Sequence, residues 1–144
     1  MKTYVQRVKK ASDEYETPMG LFEELDREFH FNLDPCSTDE NCKCENHYTI
    51  EDDGLTQNWG GCRAFCNPPY SNIKAWVEKA YREGCKDHTV VVLLIPARTD
   101  TQYFHNFINN RAEIRFIKGR LRFNGHSIAA PFPSMVVIFR GAYA

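Results

Sequence analysis

The chain has 144 residues, of which 42% are hydrophobic and 13% aromatic, a size and composition suited to one globular domain with one core. These values exclude an intrinsically disordered chain, and no apolar run approaches the length of a membrane span. The net charge is only −1, so the charge of the whole chain does not indicate nucleic-acid binding.

The N-terminal residues MKTYVQRVKK lack the apolar core of a signal peptide, so we expect a cytoplasmic protein whose six cysteines are free thiols.

Charge is unevenly distributed along the chain. Between Ala11 and Cys66 fourteen acidic residues face three basic ones, whereas beyond Pro96 seven basic residues face two acidic ones. The basic C-terminal third suits contact with a polyanion, although an ordinary solvated surface with a local charge bias explains it too.

The N-terminal part of the chain contains one clear helical pattern. Residues 1–14 are polar and lack periodicity, which predicts a flexible arm ahead of a single domain at 15–144. Thr17 suits an N-cap and Pro18 suits a first helical position, and the apolar residues that follow recur at helical spacing. This pattern predicts a helix over 18–29.

The middle of the chain alternates short apolar runs with a long polar segment. FNLD at 31–34 and RAFC at 63–66 predict two strands, and NIKAWVEKAYREGC at 72–85 predicts an amphipathic helix. The turn-rich segment 36–61 is long for a structureless loop in a compact domain, so we expect a functional role or small elements within it. Trp59, in this segment, is expected to be a local hydrophobic anchor; covering part of a bound ligand is the alternative.

The second half of the chain indicates a sheet covered by helices. TVVVLLIPA at 89–97 is a continuous apolar run, which is typical of a strand buried on both faces. A short helix is predicted at 101–109, followed by strands at 113–118, 121–123 and 135–140. The alternation of strands with helices predicts an α/β protein with an open sheet.

The segment FCNPPY at 65–70 carries polar and aromatic groups at the end of a predicted strand, where open α/β sheets hold ligand sites. Two adjacent prolines stop the strand and restrict the backbone, so that the amide oxygen of Asn67 and the carbonyl of Pro68 can converge. Two acceptors suit the two N–H donors of an exocyclic ring amine, and Tyr70 can stack on the ring. A simple strand terminator before a helix is the alternative.

An exocyclic ring amine constrains the chemistry that such a site performs. The amine is a poor nucleophile because its lone pair is delocalised into the ring, and a neutral Asn is a weak general base. We therefore expect attack first and proton loss afterwards, with catalysis mainly by positioning. The electrophile must already be strongly activated, as a sulfonium methyl donor is.

Seven segments together resemble a known family, the small phage-type (Dam-like) DNA N6-adenine methyltransferases of bacteriophages and prophages. They are, in chain order, YETPMGLFEEL, FNLDPCS, EDDGLTQNW, FCNPPY, PARTDT, GRLRF and APFPSMVVIF, and they run from Tyr15 to Arg140. The resemblance implies a compact Rossmann-like methyltransferase fold, with a mostly parallel open sheet and an antiparallel C-terminal strand. It also implies S-adenosylmethionine as cofactor, double-stranded DNA as substrate and the cytoplasm of a bacterial host as location.

The resemblance also implies site residues. The catalytic motif corresponds to Asn67, Pro68, Pro69 and Tyr70, with Tyr70 stacking on a flipped adenine. The cofactor-binding positions correspond to Thr17, Pro18, Asp34, Pro35, Cys36 and Asn67. The usual cofactor loop is rich in glycine, whereas residues 37–41 contain none. An Asx-turn or a cap is the alternative role for Asp34.

The predicted DNA contacts come from the basic C-terminal third. Leu121 and Phe123 alternate with basic residues, which gives one apolar and one basic face suited to a DNA backbone. The residues we expect to contact DNA are Arg98, Lys118, Arg120 and Arg122; for Arg98, orienting Asp34 is the alternative. An ordinary edge hairpin is the alternative. We expect the hairpin at 119–133 and the loop at 37–61 to recognise a short or loosely defined target sequence.

Two other functions remain open from the residues. A cytosine-N4 methyltransferase would use a similar amine geometry. A zinc-stabilised nucleic-acid-binding module without catalysis would use Cys36, Cys42, Cys44 and His47, but the C-x-C spacing is not the usual one, so no bound metal is expected. We expect no membrane association, and a monomer or weak dimer.

Overall fold

The computed structural model describes residues 15–126 and 128–144, so the predicted arm at 1–14 lies outside the described residues. Within these ranges two α-helices and four strands form the domain. They are α1 (Met19–Phe29), β1 (Arg63–Cys66), α2 (Ile73–Gly84), β2 (Val90–Pro96), β3 (Glu113–Phe116) and β4 (Ser134–Arg140). The protein is a mixed α/β structure, and none of these helices is long and apolar enough to cross a bilayer.

The four strands form one sheet in the order β1-β2-β4-β3. β1 and β2 are parallel, and β4 is antiparallel to both β2 and β3. Thus β1, β2 and β3 run in the same direction and only the C-terminal strand of the four runs against them. The predicted antiparallel C-terminal strand is therefore present, although two of the three strand pairs are antiparallel.

The predicted strand at 31–34 is reduced to isolated pairings beside β1. Leu33 forms a parallel bridge with Ala64, and Asp34 forms one with His47. The pairing with β1 stops there because the backbone of Asp34 pairs with the following loop instead. Its N–H donates to the carbonyl of Asn46, at 3.0 Å. This arrangement holds Asp34 at the same edge of the sheet as the end of β1.

Strand β2 is buried along its whole length, as its continuous apolar sequence predicts. Val91, Leu93 and Ile95 belong to the core that α2 covers. The alternate residues of β2 belong to a second core, on the opposite face, with Phe22 and Phe29 of α1. Helices or loops thus cover both faces, which is why the strand carries no polar residue.

The start of α1 differs from the sequence prediction. The helix begins at Met19, and Pro18 is its N-cap, with φ −58° and ψ 131° and no side-chain capping bond. Thr17 is therefore not the N-cap, and Pro18 is not the first helical residue. The reason is that the Thr17 hydroxyl accepts a hydrogen bond from the distant Asn67 amide instead.

One further predicted element is wrong. The expected strand at 121–123 is an irregular segment, because the Leu121 carbonyl pairs with the Ala130 N–H at 2.8 Å while Asn124 forms an isolated bridge with Glu16. No continuous ladder can form when residues three positions apart pair with two different segments of the chain. The short helix predicted at 101–109 is present: Gln102 and Tyr103 are α-helical, and Phe104–Ile108 form a π-helical turn.

The long segment at 36–61 is packed, and it contains a 3₁₀ turn at Gly54–Thr56. Trp59 is completely buried, and its indole N–H donates to the Gly54 carbonyl at 3.0 Å. A Cβ at Gly54 would lie 2.0 Å from the Pro35 carbonyl oxygen, so only glycine allows this close approach. Trp59 is the local anchor that the sequence favoured, and the anchored loop forms one wall of the cavity described below.

Candidate active site and cofactor cavity

Asn67 follows the last residue of β1, and its side-chain amide is held in a defined orientation. Its Nδ2 donates to the Tyr15 carbonyl at 2.5 Å and to the Thr17 Oγ1 at 3.0 Å. An amide nitrogen has two hydrogens, and both have acceptors here. The Oδ1 must therefore face the other way, where it accepts a hydrogen bond from the Tyr70 hydroxyl at 3.1 Å. One lone pair of Oδ1 remains for a ligand donor.

The two prolines carry the chain from β1 into a tight turn. Pro68 and Pro69 are buried, and Pro69, with φ −64° and ψ 125°, begins a 3₁₀ turn at Tyr70–Asn72 that leads into α2. The carbonyl of Pro69 accepts a hydrogen bond from the Asn72 N–H at 3.1 Å. The motif is therefore both a strand terminator and the frame that presents Asn67 and Tyr70.

Tyr70 lies within a group of aromatic rings. Its ring stacks with Tyr15 at 5.5 Å and 20°, and it meets Phe132 edge-on at 5.6 Å. Burial raises the pKa of Tyr70 well above its usual value, so its hydroxyl keeps its proton at neutral pH. It is therefore the donor in its bond to Asn67.

A cavity of about 210 Å³ lies beside Asn67. Five of the six predicted cofactor-binding residues line it, namely Thr17, Asp34, Pro35, Cys36 and Asn67. Pro18, the sixth, is not among the described residues that line the cavity; it caps α1 instead. Pro69 also lines the cavity, so the catalytic motif and the predicted cofactor positions share one space.

Asp34 is only 3% exposed and has two structural hydrogen bonds. Its Oδ1 accepts from the Cys36 N–H at 3.3 Å, which is an Asx-turn contact, and its Oδ2 accepts from the Lys43 N–H at 2.9 Å. Burial raises the pKa of Asp34 to about 6, even though both of these bonds favour the charged form. Asp34 thus makes the turn and also offers a carboxylate to the cavity at neutral pH.

Three buried polar atoms on the cavity walls have no hydrogen-bond partner within the described part of the chain. They are Ser37 Oγ, Asp53 Oδ1 and Trp76 Nε1. An unpaired buried polar group costs about 1–3 kcal/mol, so the three together suit a polar ligand that supplies both donors and acceptors. The Asp53 oxygen is an acceptor, the Trp76 N–H is a donor and the Ser37 hydroxyl can act as either.

Sequence reasoning did not single out Asp53, Trp76 or Ser37 as ligand groups. The available signal for Asp53 was its place in the segment EDDGLTQNW. Asp53 has a positive φ of 57°, which aspartate tolerates better than most residues. The unusual backbone turns the chain into the 3₁₀ segment that begins at Gly54.

Cys42 and His47 of the 36–47 loop both contact Asp39, Cys42 through the Asp39 carbonyl and His47 through its side chain. His47 Nε2 pairs with Asp39 at 2.8 Å, and burial raises the pKa of Cys44 to about 12, which disfavours a thiolate. Among residues 15–126 and 128–144 no group of three or more potential metal-ligating side chains is present. All six cysteines are free.

The four predicted DNA-contacting cations are exposed: Arg98, Lys118, Arg120 and Arg122. The guanidinium of Arg98 lies over the Phe132 ring at 5.8 Å, next to the aromatic group around Tyr70. Arg98 therefore connects the basic surface with the candidate active site.

Other arginines of the basic C-terminal third have structural roles. Arg115 pairs with both Glu28 and Glu113, and Arg140 pairs with Glu113, above the ring of Phe29. The hydrogen bond from Arg115 lowers the pKa of the Glu28 carboxyl, and the hydrogen bonds from Arg140 and Arg115 lower the pKa of the Glu113 carboxyl. The charge bias of the sequence is thus in part an ion-pair network that joins α1, β3 and β4.

Comparison with known proteins decides the family. The family model described as DNA N-6-adenine-methyltransferase (Dam) matches residues 5–142, almost the whole chain. The chain belongs to the Dam family. This result confirms the phage-type Dam-like resemblance of its seven sequence segments.

Individual relatives of this Dam-family chain come from phages and a bacterium. It is 32% identical to the DNA N-6-adenine-methyltransferase of Haemophilus phage HP1 over 119 residues, which are 81% of this chain and 69% of the phage protein. It is 32% identical to the DNA N-6-adenine-methyltransferase of Escherichia phage T1 over 76% of this chain and 46% of that protein. It is 34% identical to the putative methyltransferase YfdM of Escherichia coli K12 over 44% of this chain and 77% of that protein.

Proposed function

We propose that this Dam-family chain transfers a methyl group from S-adenosylmethionine to the N6 amino group of adenine in double-stranded DNA. The observation that carries the proposal is the orientation of Asn67. Both of its N–H donors are bound, so its Oδ1 faces the aromatic group with a lone pair to spare, at the wall of a cavity. An acceptor held in this way suits an exocyclic amine.

The cofactor proposal rests on the cavity walls. When bound, S-adenosylmethionine supplies a methyl group already activated by its sulfonium. Asp34 and Asp53 would accept hydrogen bonds from its ammonium or hydroxyl groups, and Trp76 Nε1 and Ser37 Oγ would donate to its acceptors. The glycine-free loop does not oppose this assignment, because Ser37, like Thr38 and Asn41, lines the cavity directly.

The catalytic proposal assigns positioning roles to the NPPY motif. Asn67 Oδ1, together with the Pro68 carbonyl, would accept both N–H bonds of the adenine amine, which favours a tetrahedral nitrogen with its lone pair pointing away from the ring. Tyr70 would stack on the flipped base, a contact worth about 1–3 kcal/mol. Pro68 and Pro69 would keep the two acceptors fixed, so that little reorganisation is needed during the reaction.

The DNA proposal assigns backbone contacts to Arg98, Lys118, Arg120 and Arg122, all exposed. Such contacts position the protein without reading sequence. The segment at 119–133 and the loop at 37–61 would contact the bases. The common direction of β1, β2 and β3, with β4 reversed, supports a Rossmann-like methyltransferase fold for a single domain at 15–144. We propose that the protein works in the cytoplasm of a bacterial host of a phage or prophage.

Methyl transfer tests this function. Unmethylated double-stranded DNA is incubated with protein and methyl-labelled S-adenosylmethionine, and label in the DNA is counted for wild type, Asn67→Ala and Asp87→Asn. We expect label with wild type and with Asp87→Asn, a change at an exposed site outside the cavity walls and the proposed DNA-contacting segments, and none with Asn67→Ala. Cofactor binding is measured in parallel, so that loss of catalysis is separated from loss of fold. Equal labelling by Asn67→Ala would refute the role of the motif.

A further inference from the structure

The ring of Tyr15 occupies the space in front of Tyr70. It stacks with Tyr70 at 5.5 Å and 20°, and with His126 at 5.0 Å and 16°. Phe132 meets the same ring edge-on at 5.3 Å, and Phe123 meets it at 5.0 Å and 59°. Tyr15 is thus a flat ring surrounded by four aromatic side chains.

Tyr15 also lines two cavities. The first is the cavity beside Asn67, and the second, of about 250 Å³, is lined by Phe123, His126 and residues 128–131. Within the described ranges, Tyr15 is the one residue that lines both. Withdrawal of its side chain would join the two cavities in front of Tyr70 and Asn67.

We propose that the Tyr15 ring stands in the place of the target base, and that it moves aside when a purine stacks between Tyr70 and His126. This inference rests on the proposed function, because it assumes that Tyr70 stacks on a base. It adds two roles: Tyr15 is a gate that fills the base site in the free protein, and His126 is the second stacking wall. A flat ring needs two parallel faces around it, and Tyr70 and His126 provide them for Tyr15.

The backbone of Tyr15 has a separate role that the gate leaves intact. Its carbonyl accepts the bond from Asn67 Nδ2, and this bond does not involve the ring. The ring can therefore rotate away while the carbonyl still orients Asn67. Removing the side chain by mutation likewise opens the site without removing the acceptor.

Binding of 2′-deoxyadenosine tests the gate without any methyl transfer. Affinity is measured by calorimetry in saturating S-adenosylhomocysteine, so that the nucleoside does not compete for the cofactor cavity. We expect Tyr15→Ala to bind at least about tenfold more tightly than wild type, a change that corresponds to about 1.4 kcal/mol. Tyr15→Phe keeps the ring and should bind as weakly as wild type. Tyr15→Leu, which keeps apolar packing but lacks a flat ring, is the second opened variant if Tyr15→Ala unfolds.

Double variants test whether the tighter binding of deoxyadenosine depends on the two stacking side chains. The tighter binding should disappear in Tyr15→Ala/Tyr70→Ala and in Tyr15→Ala/His126→Ala. The proposal is overturned if the opened variants bind no better than wild type, if Tyr15→Phe binds as tightly as Tyr15→Ala, or if the tighter binding survives in either of the two double variants. Failure of methyl transfer would instead overturn the proposed function, so the two failures are distinguishable.

Discussion

The side-chain amide of Asn67 donates a hydrogen bond to the hydroxyl of Thr17 across 3.0 Å, and the two residues lie 50 positions apart in the chain. This bond joins Thr17, two residues before the start of α1, to Asn67, the residue after β1. Because Thr17 lines the cavity and Asn67 belongs to the catalytic motif, the bond connects the proposed cofactor site with the proposed reaction centre.

Removing this bond should slow catalysis more than it weakens cofactor binding. We expect Thr17→Val, which keeps the shape of the side chain, to lower kcat by about tenfold, because a lost hydrogen bond costs about 0.5–1.5 kcal/mol and about 1.4 kcal/mol is tenfold in rate. Thr17→Ser retains the hydroxyl and should stay near wild type. Steady-state kinetics with both variants makes the measurement. Equal rates for Thr17→Val and Thr17→Ser would show that the bond does not orient Asn67 for catalysis.

The buried Asp34 should make the stability of the free protein depend on pH. Its pKa is raised to about 6 in the folded state, against about 3.9 in an unfolded chain. Between these values the unfolded chain has released the proton and the folded chain has kept it. The free energy of unfolding should therefore fall as pH rises from about 4 to about 6. The full decrease, reached once Asp34 is ionised in both states, is of order 3 kcal/mol.

Urea unfolding of wild type and Asp34→Asn across this pH range isolates that contribution, since other titrating groups are common to both proteins. The difference in unfolding free energy between the two should shift in favour of Asp34→Asn as pH rises through the window. Cofactor affinity should change in the opposite sense in wild type, weakening below about pH 6 as the carboxylate is protonated. A difference in stability that is constant with pH would contradict the raised pKa.

The unpaired Asp53 carboxylate oxygen should contribute to cofactor affinity. Asp53→Asn tolerates the same positive φ and removes only the charge. A hydrogen bond to a charged group is worth about 1.5–3 kcal/mol, so we expect the dissociation constant for S-adenosylmethionine to rise by about tenfold or more. Asp87→Asn, the same change at an exposed site that does not line the cavity, is the matched control. Similar affinities for the two variants would remove Asp53 from the cofactor site.

The exposed cations should determine the salt dependence of DNA binding. Each phosphate contact contributes about 0.9 to the slope of log affinity against log salt concentration. We expect the double variant Lys118→Ala/Arg120→Ala to bind DNA more weakly and to lower this slope by about two. Arg111→Ala removes a cation that stacks on Tyr81, and it should change the slope little. An unchanged slope in the double variant would place the DNA surface elsewhere.

Periodic and buried segments were predictable from the sequence, whereas contacts between distant residues were not. The continuous apolar run of β2 predicts a strand buried on both faces, and the helical spacing of apolar residues predicts α1 and α2. In each case the pattern of residues that must be buried fits one type of secondary structure. The start of α1 could not be predicted because the Thr17 hydroxyl can accept a hydrogen bond either from the first turn of the helix or from a distant residue. In the structure it accepts one from the Asn67 amide. At 121–123 the alternation of apolar and basic residues indicated a strand, but Phe123 is buried in the core to which α1 contributes, and no neighbouring strand continues the ladder within the described residues.

The candidate site was predictable where a motif names its residues. FCNPPY and FNLDPCS identified Asn67, Tyr70 and Asp34, and the structure brings all three to one sheet edge. Asp53 and Trp76 carry no local sign of a ligand role, because their polar atoms become unusual only when the fold buries them without partners. The stacking of Tyr15 with Tyr70 and His126 depends on three separate segments and could not be inferred from any one of them.

The most direct test of the central claim is the identity of the modified base. DNA treated with wild-type protein and S-adenosylmethionine is digested to nucleosides, which are separated and identified by mass, with Asn67→Ala treated in parallel. The account predicts N6-methyldeoxyadenosine with wild type and none with Asn67→Ala. N4-methyldeoxycytidine in its place, or no methylated nucleoside from a protein that binds S-adenosylmethionine and DNA, would contradict it.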